Sequence, residues 1–219
     1  SAVLLIPADR EALGDAVSAA AGKTTLVTVE TDMTAWGAAA SITMDHQALG
    51  AALGAAALNG VPEGGTVLLL DSLPGDNGIR ERMEAAKAVL EREGRQARVY
   101  KWDPDTTSLP DILRIERPRA IIAFEAAALA DVAELSRGED TFPLLYGCGS
   151  TSGIAAALEK GRVTAITAVN VFSAGYLAVE AAAALARHED WTAAAPVAFS
   201  IVRQETMYDS DNQKLLFPV

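Results

Sequence analysis

The residues that could act on a ligand are few and widely spaced. The chain has two histidines, His46 and His188, and one cysteine, Cys148. Neither histidine lies in a metal-binding spacing such as H-E-x-x-H, and a single cysteine excludes an intrachain disulfide and a multi-cysteine metal site. No Ser-His-Asp or Cys-His catalytic set can be recognised in the sequence, and the nucleophile-elbow motif G-x-S-x-G is not matched. The sequence therefore predicts no catalytic residue, no metal site and no cofactor.

The three candidate side chains have structural interpretations. His188 lies at the end of a helical segment, which predicts a solvated residue near the last carbonyl groups. His46 follows Asp45 at a helix start and is predicted to be a surface or cap-region residue, with a ligand contact as the alternative. Cys148 follows an apolar strand, which favours a small buried or half-buried hydrophobe over a reactive thiol.

A glycine-rich loop at residues 147–153 follows a predicted strand and opens a helix. Its backbone N–H groups and hydroxyls could bind an anion. The glycine spacing is wrong for the dinucleotide fingerprint G-x-G-x-x-G. The alternative is that Ser150 or Thr151 simply caps the helix, and a capping residue can still face a ligand.

Short apolar runs alternate with longer alanine-rich helical patterns along the chain. Continuous apolar runs are typical of strands that are buried on both faces, and their alternation with helices predicts an α/β fold with parallel sheet. Between them, a helix is predicted from Asp76-Asn77 to Gly94, and two more at residues 45–58 and 152–159. The predicted strands lie at residues 3–6, 26–29, 67–70, 99–100, 120–123, 144–146 and 163–169.

Composition excludes several classes of protein. With 18 Lys+Arg against 29 Asp+Glu, the formal net charge of −11 argues against a nucleic-acid binder that works by bulk charge. Half of the 219 residues are hydrophobic, which is enough for a core, but the longest apolar stretches are too short to span a bilayer. The first residues lack a basic region and a long apolar stretch, so they are not an intact signal peptide.

Three stretches are candidate crossings between lobes. Residues 31–44 follow a strand and precede a helix, and are either a plain loop or a crossing. Residues 166–171, which lead into the Tyr176 helix, and residues 199–203 are the other two. Each is weak evidence when taken alone.

The order of several motifs resembles a known family, the type I periplasmic binding proteins, together with the ligand-binding modules of lac-repressor-type regulators. The most specific stretch is Tyr-Gly-Cys-Gly-Ser-Thr at residues 146–151, followed by Ala-Leu-Glu-Lys-Gly at 157–161, Thr-Ala-Val-Asn at 167–170 and Gly-Tyr-Leu-Ala-Val-Glu at 175–180. Residues 5–9, 27–30, 42–50 and 78–82 add to it, so the resemblance covers nearly the whole chain.

This resemblance implies two doubly wound lobes joined by three crossing strands, with a small polar ligand between them and hinge closure upon binding. The three candidate crossings fall where such a fold needs them. The N-terminal lobe would comprise residues 1–44 plus 171–200, and the C-terminal lobe residues 45–170 plus 201–219. Family members usually begin with two further strand–helix units. The first lobe is therefore expected to be incomplete, with an exposed flank at residues 3–6, and to be completed by a missing N-terminal segment or a partner chain.

The resemblance also implies ligand-binding residues. Carboxylate, guanidinium and amide groups suit a polyhydroxy ligand such as a sugar. Two positions depart from the sugar-binding pattern: Gly149 stands where an aspartate is usual, and Phe124-Glu125 where an Asn-Asp pair is usual. Trp36 and Phe172, in segments that would rim the cleft, either stack on a sugar ring or pack ordinarily. The implied set is Glu30, Thr31, Trp36, Arg82, Phe124 or Glu125, Gly149, Asn170 and Phe172.

Three functions follow as hypotheses. The first is non-catalytic, extracytoplasmic binding of a small polar solute for ABC-type import or envelope sensing, with an ABC permease or a membrane sensor as partner and no nucleic acid bound by this chain. The second is the effector-binding domain of a cytoplasmic regulator of the lac-repressor type. The third is an enzyme that uses the loop at residues 147–153 for a phosphorylated substrate or nucleotide.

Overall fold

The computed structural model describes residues 1–106, 108–139, 141–192 and 195–217, and confirms the predicted α/β fold with parallel sheets. The strands are β1 Ala2–Leu5, β2 Thr25–Glu30, β3 Ala40–Thr43, β4 Thr66–Asp71, β5 Gln96–Lys101, β6 Ala120–Ala123, β7 Leu144–Cys148, β8 Ala165–Val169 and β9 Phe199–Arg203. The helices are α1 Arg10–Ala21, α2 His46–Gly60, α3 Asn77–Arg92, α4 Leu109–Glu116, α5 Ala126–Leu135, α6 Ser152–Glu159, α7 Val171–Ala186 and α8 Ser210–Leu216.

The chain forms two compact units. Unit 1 consists of Ser1–Asp45, Gly75–Gly78 and Asn170–Ala198. Unit 2 consists of His46–Pro74, Ile79–Val169 and Phe199–Val219.

Unit 2 is built on a six-stranded sheet in the order β5-β4-β6-β7-β8-β9. All neighbouring strands run parallel except the β8–β9 pair, which is antiparallel with Val169 opposite Phe199. Because the other strands run parallel, their carboxyl ends meet at one edge of the sheet, where α/β proteins place their ligand sites.

The apolar runs of this sheet are buried on both faces, as their continuous pattern predicts. On one face, Leu68 and Ile121 pack with α5 and α6. On the other, Leu69 and Ile122 pack with α2 and α3. The side chains of successive residues point to opposite faces of a strand, so β4, β6, β7 and β8 each contribute buried residues to both cores.

Unit 1 contains a parallel three-stranded sheet in the order β1-β2-β3. Helix α7 packs against all three strands, and α1 packs against β2. The core includes Val17 of α1 and Leu26 of β2, together with Met33 and Ala38. This sheet positions the polar residues at the carboxyl end of β2.

Strand β1 differs from the buried strands of unit 2. It is an edge strand, and Val3 and Leu4 are 46% and 45% exposed, although their side chains point to opposite faces of the sheet. Ile6 directly after the strand is 67% exposed. The exposed apolar flank expected at residues 3–6 is therefore present.

All three stretches marked as crossings contain strand residues, and residues 166–171 include most of β8. Residues 31–44, interpreted as a loop or a crossing, contain β3, which pairs with β2 through Val29 and Ile42. Only four residues long and bordered by small residues, this strand is too short for a clear apolar run. Residues 199–203 form β9.

No helix among the described residues is long and apolar enough to cross a membrane.

Candidate functional site

The side chain of Arg82, on α3, lies at the carboxyl edge of the unit 2 sheet. Its Nη1 donates a hydrogen bond to the carbonyl oxygen of Phe124 at 3.0 Å, directly after β6. Its Nε donates to Nδ1 of His46 at 3.1 Å. Two bonds from different nitrogens fix the plane of a guanidinium, which presents five N–H donors in a rigid fork. Arg82 is thus held in a defined orientation.

The sequence predicted His46 to be a surface or cap-region residue and did not predict its contact with Arg82. It lies at the start of α2, as predicted, but its predicted surface exposure is wrong, because the side chain is only 6% exposed. The physical reason is that α2 packs its first turn against α3, where Arg82 supplies a hydrogen-bond donor. The sequence carries one signal for this contact: His46, Gly50 and Gly54 follow one another at four-residue intervals on one helix face.

Phe124 and Glu125 follow β6 and play different structural roles. Phe124 is fully buried and contributes its carbonyl oxygen to Arg82. Glu125 is the N-cap of α5, and its carboxylate accepts hydrogen bonds from the backbone N–H of Ala127 at 3.2 Å and of Ala128 at 2.7 Å. A direct role of either residue in ligand binding stays a prediction.

Gly149 occupies a position that requires glycine. Its φ is +126°, and an added Cβ would lie 2.8 Å from the Cβ of Ala126. Its N–H donates to the carbonyl oxygen of Thr167 at 3.1 Å, so this donor of the glycine-rich loop is used within the protein. Thr151 caps α6 by accepting from the N–H of Ile154 at 3.4 Å, which confirms the capping interpretation.

Cys148 ends β7 next to this loop and is buried, as predicted. Its Sγ accepts a hydrogen bond from Oγ1 of Thr167 on β8 at 3.1 Å. Burial raises the pKa of the thiol and outweighs the neighbouring Arg82 charge, which acts to lower it. A buried thiol of raised pKa is a poor nucleophile, so Cys148 belongs to the packing of the unit 2 sheet.

Glu30 and Thr31 lie at the carboxyl end of β2 in unit 1. Glu30 is half-buried and has a φ of +71°, which is uncommon for a residue with a side chain. Thr31 is buried, with 7% of its surface exposed. The next residue, Asp32, accepts from the N–H and the hydroxyl of Thr34, both at 2.8 Å. Burial acts to raise the pKa of Asp32, but these hydrogen bonds outweigh it and the pKa is lowered.

Asn170 belongs to the same edge of unit 1. Glu30 pairs with Thr43, whose carbonyl oxygen accepts from the N–H of Val197 at 2.8 Å. Ala198 follows Val197 in the chain, and its carbonyl oxygen accepts a hydrogen bond from the N–H of Asn170 at 3.4 Å. The Oδ1 of Asn170 caps α7 by accepting from the N–H of Ser173 at 2.9 Å, so Nδ2 is the part of this amide that a ligand would meet.

The two aromatic candidates differ in their surroundings. The Trp36 ring lies against α1, where a Cβ added to Gly14 would come within 2.2 Å of its Nε1. Phe172, in the first turn of α7, is 68% exposed. Trp36 therefore serves the packing of unit 1, whereas the ring of Phe172 is open to a partner.

Other features of unit 2 do not add to this site. A cavity of about 590 Å³ lies at the amino ends of β6 and β7, lined by residues that include Gly60, Arg119 and Leu144, at the opposite edge of the sheet from Arg82. Within the described part of the chain, no group of three or more His, Cys, Asp and Glu side chains could hold a metal ion.

The sequence matches the family of periplasmic binding protein domains over residues 1–190. The chain belongs to this family. A comparison with curated protein sequences finds no similar one.

Three solved structures of low sequence identity have the same fold as this chain. An ABC transporter solute-binding protein from Agrobacterium vitis with bound D-fucose aligns with a TM-score of 0.87 and 16% identity, over 99% of this chain and 79% of its own. A carbohydrate transporter solute-binding protein from Agrobacterium radiobacter in complex with D-arabinose gives 0.88 and 18%, over 98% and 78%. A LacI-type transcriptional regulator from Bacteroides fragilis gives 0.81 and 12%, over 94% and 76%.

Membership of the periplasmic binding protein family confirms the resemblance found in the sequence. The predicted site residues divide between the units, each subset in the neighbourhood of its own sheet. Unit 1 carries Glu30, Thr31, Trp36, Asn170 and Phe172, and unit 2 carries Arg82, Phe124, Glu125 and Gly149.

Proposed function

We propose that the chain binds a small polar, sugar-like solute without transforming it. The observation that carries this proposal is the guanidinium of Arg82, fixed through Phe124 and His46 at the carboxyl edge of the unit 2 sheet. A fixed guanidinium donates to two vicinal hydroxyl oxygens with little loss of entropy. Sugars bound to two family relatives of the same fold support a ligand of this class.

In this proposal the ligand is contacted by groups of both lobes, which are residues 1–44 plus 171–200 and residues 45–170 plus 201–219. Glu30 accepts from sugar hydroxyls, while Asn170 and Arg82 donate to them. Closure of the lobes around the ligand buries these polar groups, so that each contact counts fully towards affinity. Phe172 supplies an apolar ring for the ligand.

The departures from the sugar-binding pattern restrict the ligand. Gly149 supplies no carboxylate, and the Glu125 carboxylate caps α5. The charged acceptor of the proposed site is therefore Glu30 in unit 1. A sugar with fewer hydroxyl donors, such as a deoxy sugar or a pentose, fits this reduced set of acceptors.

Isothermal titration calorimetry with a sugar panel tests the proposal. D-Fucose, D-arabinose, D-tagatose, D-glucose and D-galactose are the probes, with glucose 6-phosphate added for the enzyme hypothesis. We expect saturable binding of at least one neutral sugar without turnover. Turnover of the phosphorylated sugar, without saturable binding of any neutral one, would favour an enzyme.

Arg82→Ala should weaken binding of that sugar by about 1–3 kcal/mol, because hydroxyl groups that Arg82 satisfies are left buried without a partner. Arg92→Ala on the same helix is the matched control, since Arg92 is exposed and pairs with Glu93. Equal affinity of the two variants would remove Arg82 from the site.

The same fold in a LacI-type regulator favours a second candidate, the effector-binding domain of a cytoplasmic transcription regulator. The two candidates differ in what precedes Ser1 in the complete protein. An export signal or a lipid-attachment cysteine would place the chain outside the cytoplasm, whereas a helix-turn-helix would make it a regulator.

For the extracytoplasmic candidate, the proposed partner is an ABC permease or a membrane sensor, and the chain itself binds no nucleic acid. A structural neighbour that was solved as the XylFII–LytSN complex supports a protein partner. A further segment of the same protein, or a partner chain, is proposed to cover the exposed edge of β1, because exposed apolar strand edges are liable to aggregate.

A further inference from the structure

Helices α2 and α3 approach each other unusually closely in unit 2. A Cβ added to Gly50 would lie 1.9 Å from the carbonyl oxygen of Arg82, and one added to Gly54 would lie 2.8 Å from that of Ala86. Both pairs are spaced by four residues, so two successive turns of each helix are in backbone contact. His46 lies one turn before Gly50 on the same face. The close approach of the two helices at Gly50 and Gly54 therefore brings the imidazole of His46 within hydrogen-bonding distance of the Arg82 side chain.

The hydrogen bond between these side chains has a fixed polarity. A guanidinium can only donate, so Nδ1 of His46 is the acceptor in the 3.1 Å contact with Nε of Arg82. An imidazole nitrogen accepts only when it carries no proton. The observed contact therefore requires the neutral form of His46, with its proton on Nε2.

Protonation of His46 would replace this acceptor with a second N–H donor and place a positive charge beside the guanidinium. The imidazole is 6% exposed, so solvent screens the repulsion poorly. A guanidinium has donors and no acceptor, so the bond from Nε of Arg82 to a protonated imidazole must break. Protonation therefore removes one of the hydrogen bonds that fix the plane of the guanidinium.

Other charged or titratable groups near α2 act on the protonation of His46. Tyr146 lies at the far end of α2, where its hydroxyl contacts Gly60, and Arg203 of β9 lies at the same end of the sheet. At the His46 end, the charged or titratable groups are Arg82 on α3, Cys148 on β7, Glu125 after β6 and Asp45, which precedes His46. The carboxylates favour the imidazolium and Arg82 opposes it, but neither alters the direction of the effect.

We propose that His46 is a positioning residue for Arg82, and that binding of the solute is strong only while His46 is neutral. The proposal rests on the proposed function in one respect, namely that Arg82 contacts the solute. It adds a regulatory property: affinity falls as the pH falls through the titration of a single buried imidazole. An unperturbed imidazole titrates near pH 6.5, so the response is sought between about pH 8 and about pH 5.

Calorimetry with D-arabinose and D-fucose at about pH 8 and about pH 5 tests this property. Wild-type affinity should fall about tenfold or more between the two pH values. His46→Ala should bind about tenfold more weakly at the higher pH, because Nε of Arg82 loses its acceptor. His46→Asn should restore most of that loss, since its amide oxygen replaces Nδ1, and it should lose the imidazole-dependent part of the pH response.

The second histidine supplies the matched control. His188 is exposed and belongs to unit 1, so His188→Asn should keep the wild-type pH dependence. A pH effect that does not come from His46 would affect all variants alike, and His46→Asn measures that contribution. Should His46→Asn fold poorly, His46→Gln provides a second acceptor that does not titrate. The proposal would be overturned if the affinity of the wild-type protein fell no more between the two pH values than the affinity of His46→Asn.

Nitrogen-15 NMR tests the contact without any ligand. With two histidines in the chain, His188→Asn assigns the imidazole signals. We expect an unprotonated Nδ1 on His46 at about pH 8, and an Arg82 Nε–H signal that moves as His46 titrates. A protonated Nδ1 at that pH, or an Arg82 signal indifferent to the titration, would refute the positioning role. Coupled signals in a protein that binds no sugar would support that role and refute the proposed function instead.

Discussion

Gly149 illustrates how the backbone decides which side chains a single position can carry. Its φ of +126° is a conformation that glycine adopts freely and other residues rarely do. Ala126 fills the space into which a side chain would project. The absence of a carboxylate at this position is therefore built into the backbone.

Gly149→Ala should destabilise the protein by about 2–4 kcal/mol, from backbone strain together with the clash against Ala126. Gly153→Ala is the matched control, because an added Cβ there meets nothing within 4 Å and the residue lies in α6. We expect the control to be neutral or slightly stabilising. Urea unfolding followed by circular dichroism measures both, and equal midpoints would contradict the steric argument.

At the level of single residues, the sequence predicted roles that depend on local chemistry. Thr151 caps α6 because a hydroxyl before a helix reaches the N–H three residues on, and Cys148 is buried because it ends an apolar strand. The contact of His46 with Arg82 was not predictable, since it joins residues 36 positions apart. Such contacts depend on helix packing, which residue type alone does not specify.

Among the structural elements, α2 shows how small residues bring distant side chains together. Gly50 and Gly54 allow the backbone of α2 to approach α3 more closely than any side chain would permit. This approach determines the separation of His46 and Arg82. The packing of α2 against α3 and the orientation of the Arg82 side chain are therefore coupled in unit 2.

Gly50→Ala should cost about 2–4 kcal/mol of stability, because the methyl group would force the two helices apart. It should also lengthen the His46–Arg82 contact and weaken solute binding. Gly175→Ala in α7 is the control: it too replaces a helical glycine, but in open space, and should stabilise by about 0.5–1 kcal/mol. Thermal unfolding reports the difference, and a Gly50→Ala variant as stable as wild type would show that the helices can separate freely.

The sequence predicted the long and strongly patterned elements. Helix α6 has the predicted bounds, and α3 begins and ends within two residues of its predicted caps. β4 and β6 were found because every position along their apolar runs is buried. β3 was not recognised as a strand, because its four residues acquire their structure from pairing with β2.

Across the whole molecule, exposed apolar surface is concentrated in unit 1. Besides β1 and Ile6, helix α7 exposes Phe172, Tyr176 and Val179, which are spaced as one face of a helix. Contiguous apolar surface of this kind marks an interaction site or an aggregation liability. The charge of −11 opposes nonspecific association but does not cover the β1 edge.

The 219-residue chain on its own should therefore self-associate as its concentration rises. Leu4→Lys should reduce the association, because a charge on an edge strand opposes pairing with another strand. Ile115→Lys is the control, since Ile115 is even more exposed, at 71%, but lies on α4 in unit 2. Sedimentation velocity over a concentration series measures the effect. If both variants associated equally, the β1 edge would not be the contact.

The burial of Cys148 has a practical consequence for measuring ligand binding. A chain whose single cysteine is buried, with a thiol of raised pKa, should react slowly with maleimide dyes. A second cysteine introduced at an exposed position outside the proposed site, such as Tyr176, could then be labelled selectively, without first removing the native thiol. The protein is thus already suited to conversion into a fluorescent reporter of its own solute.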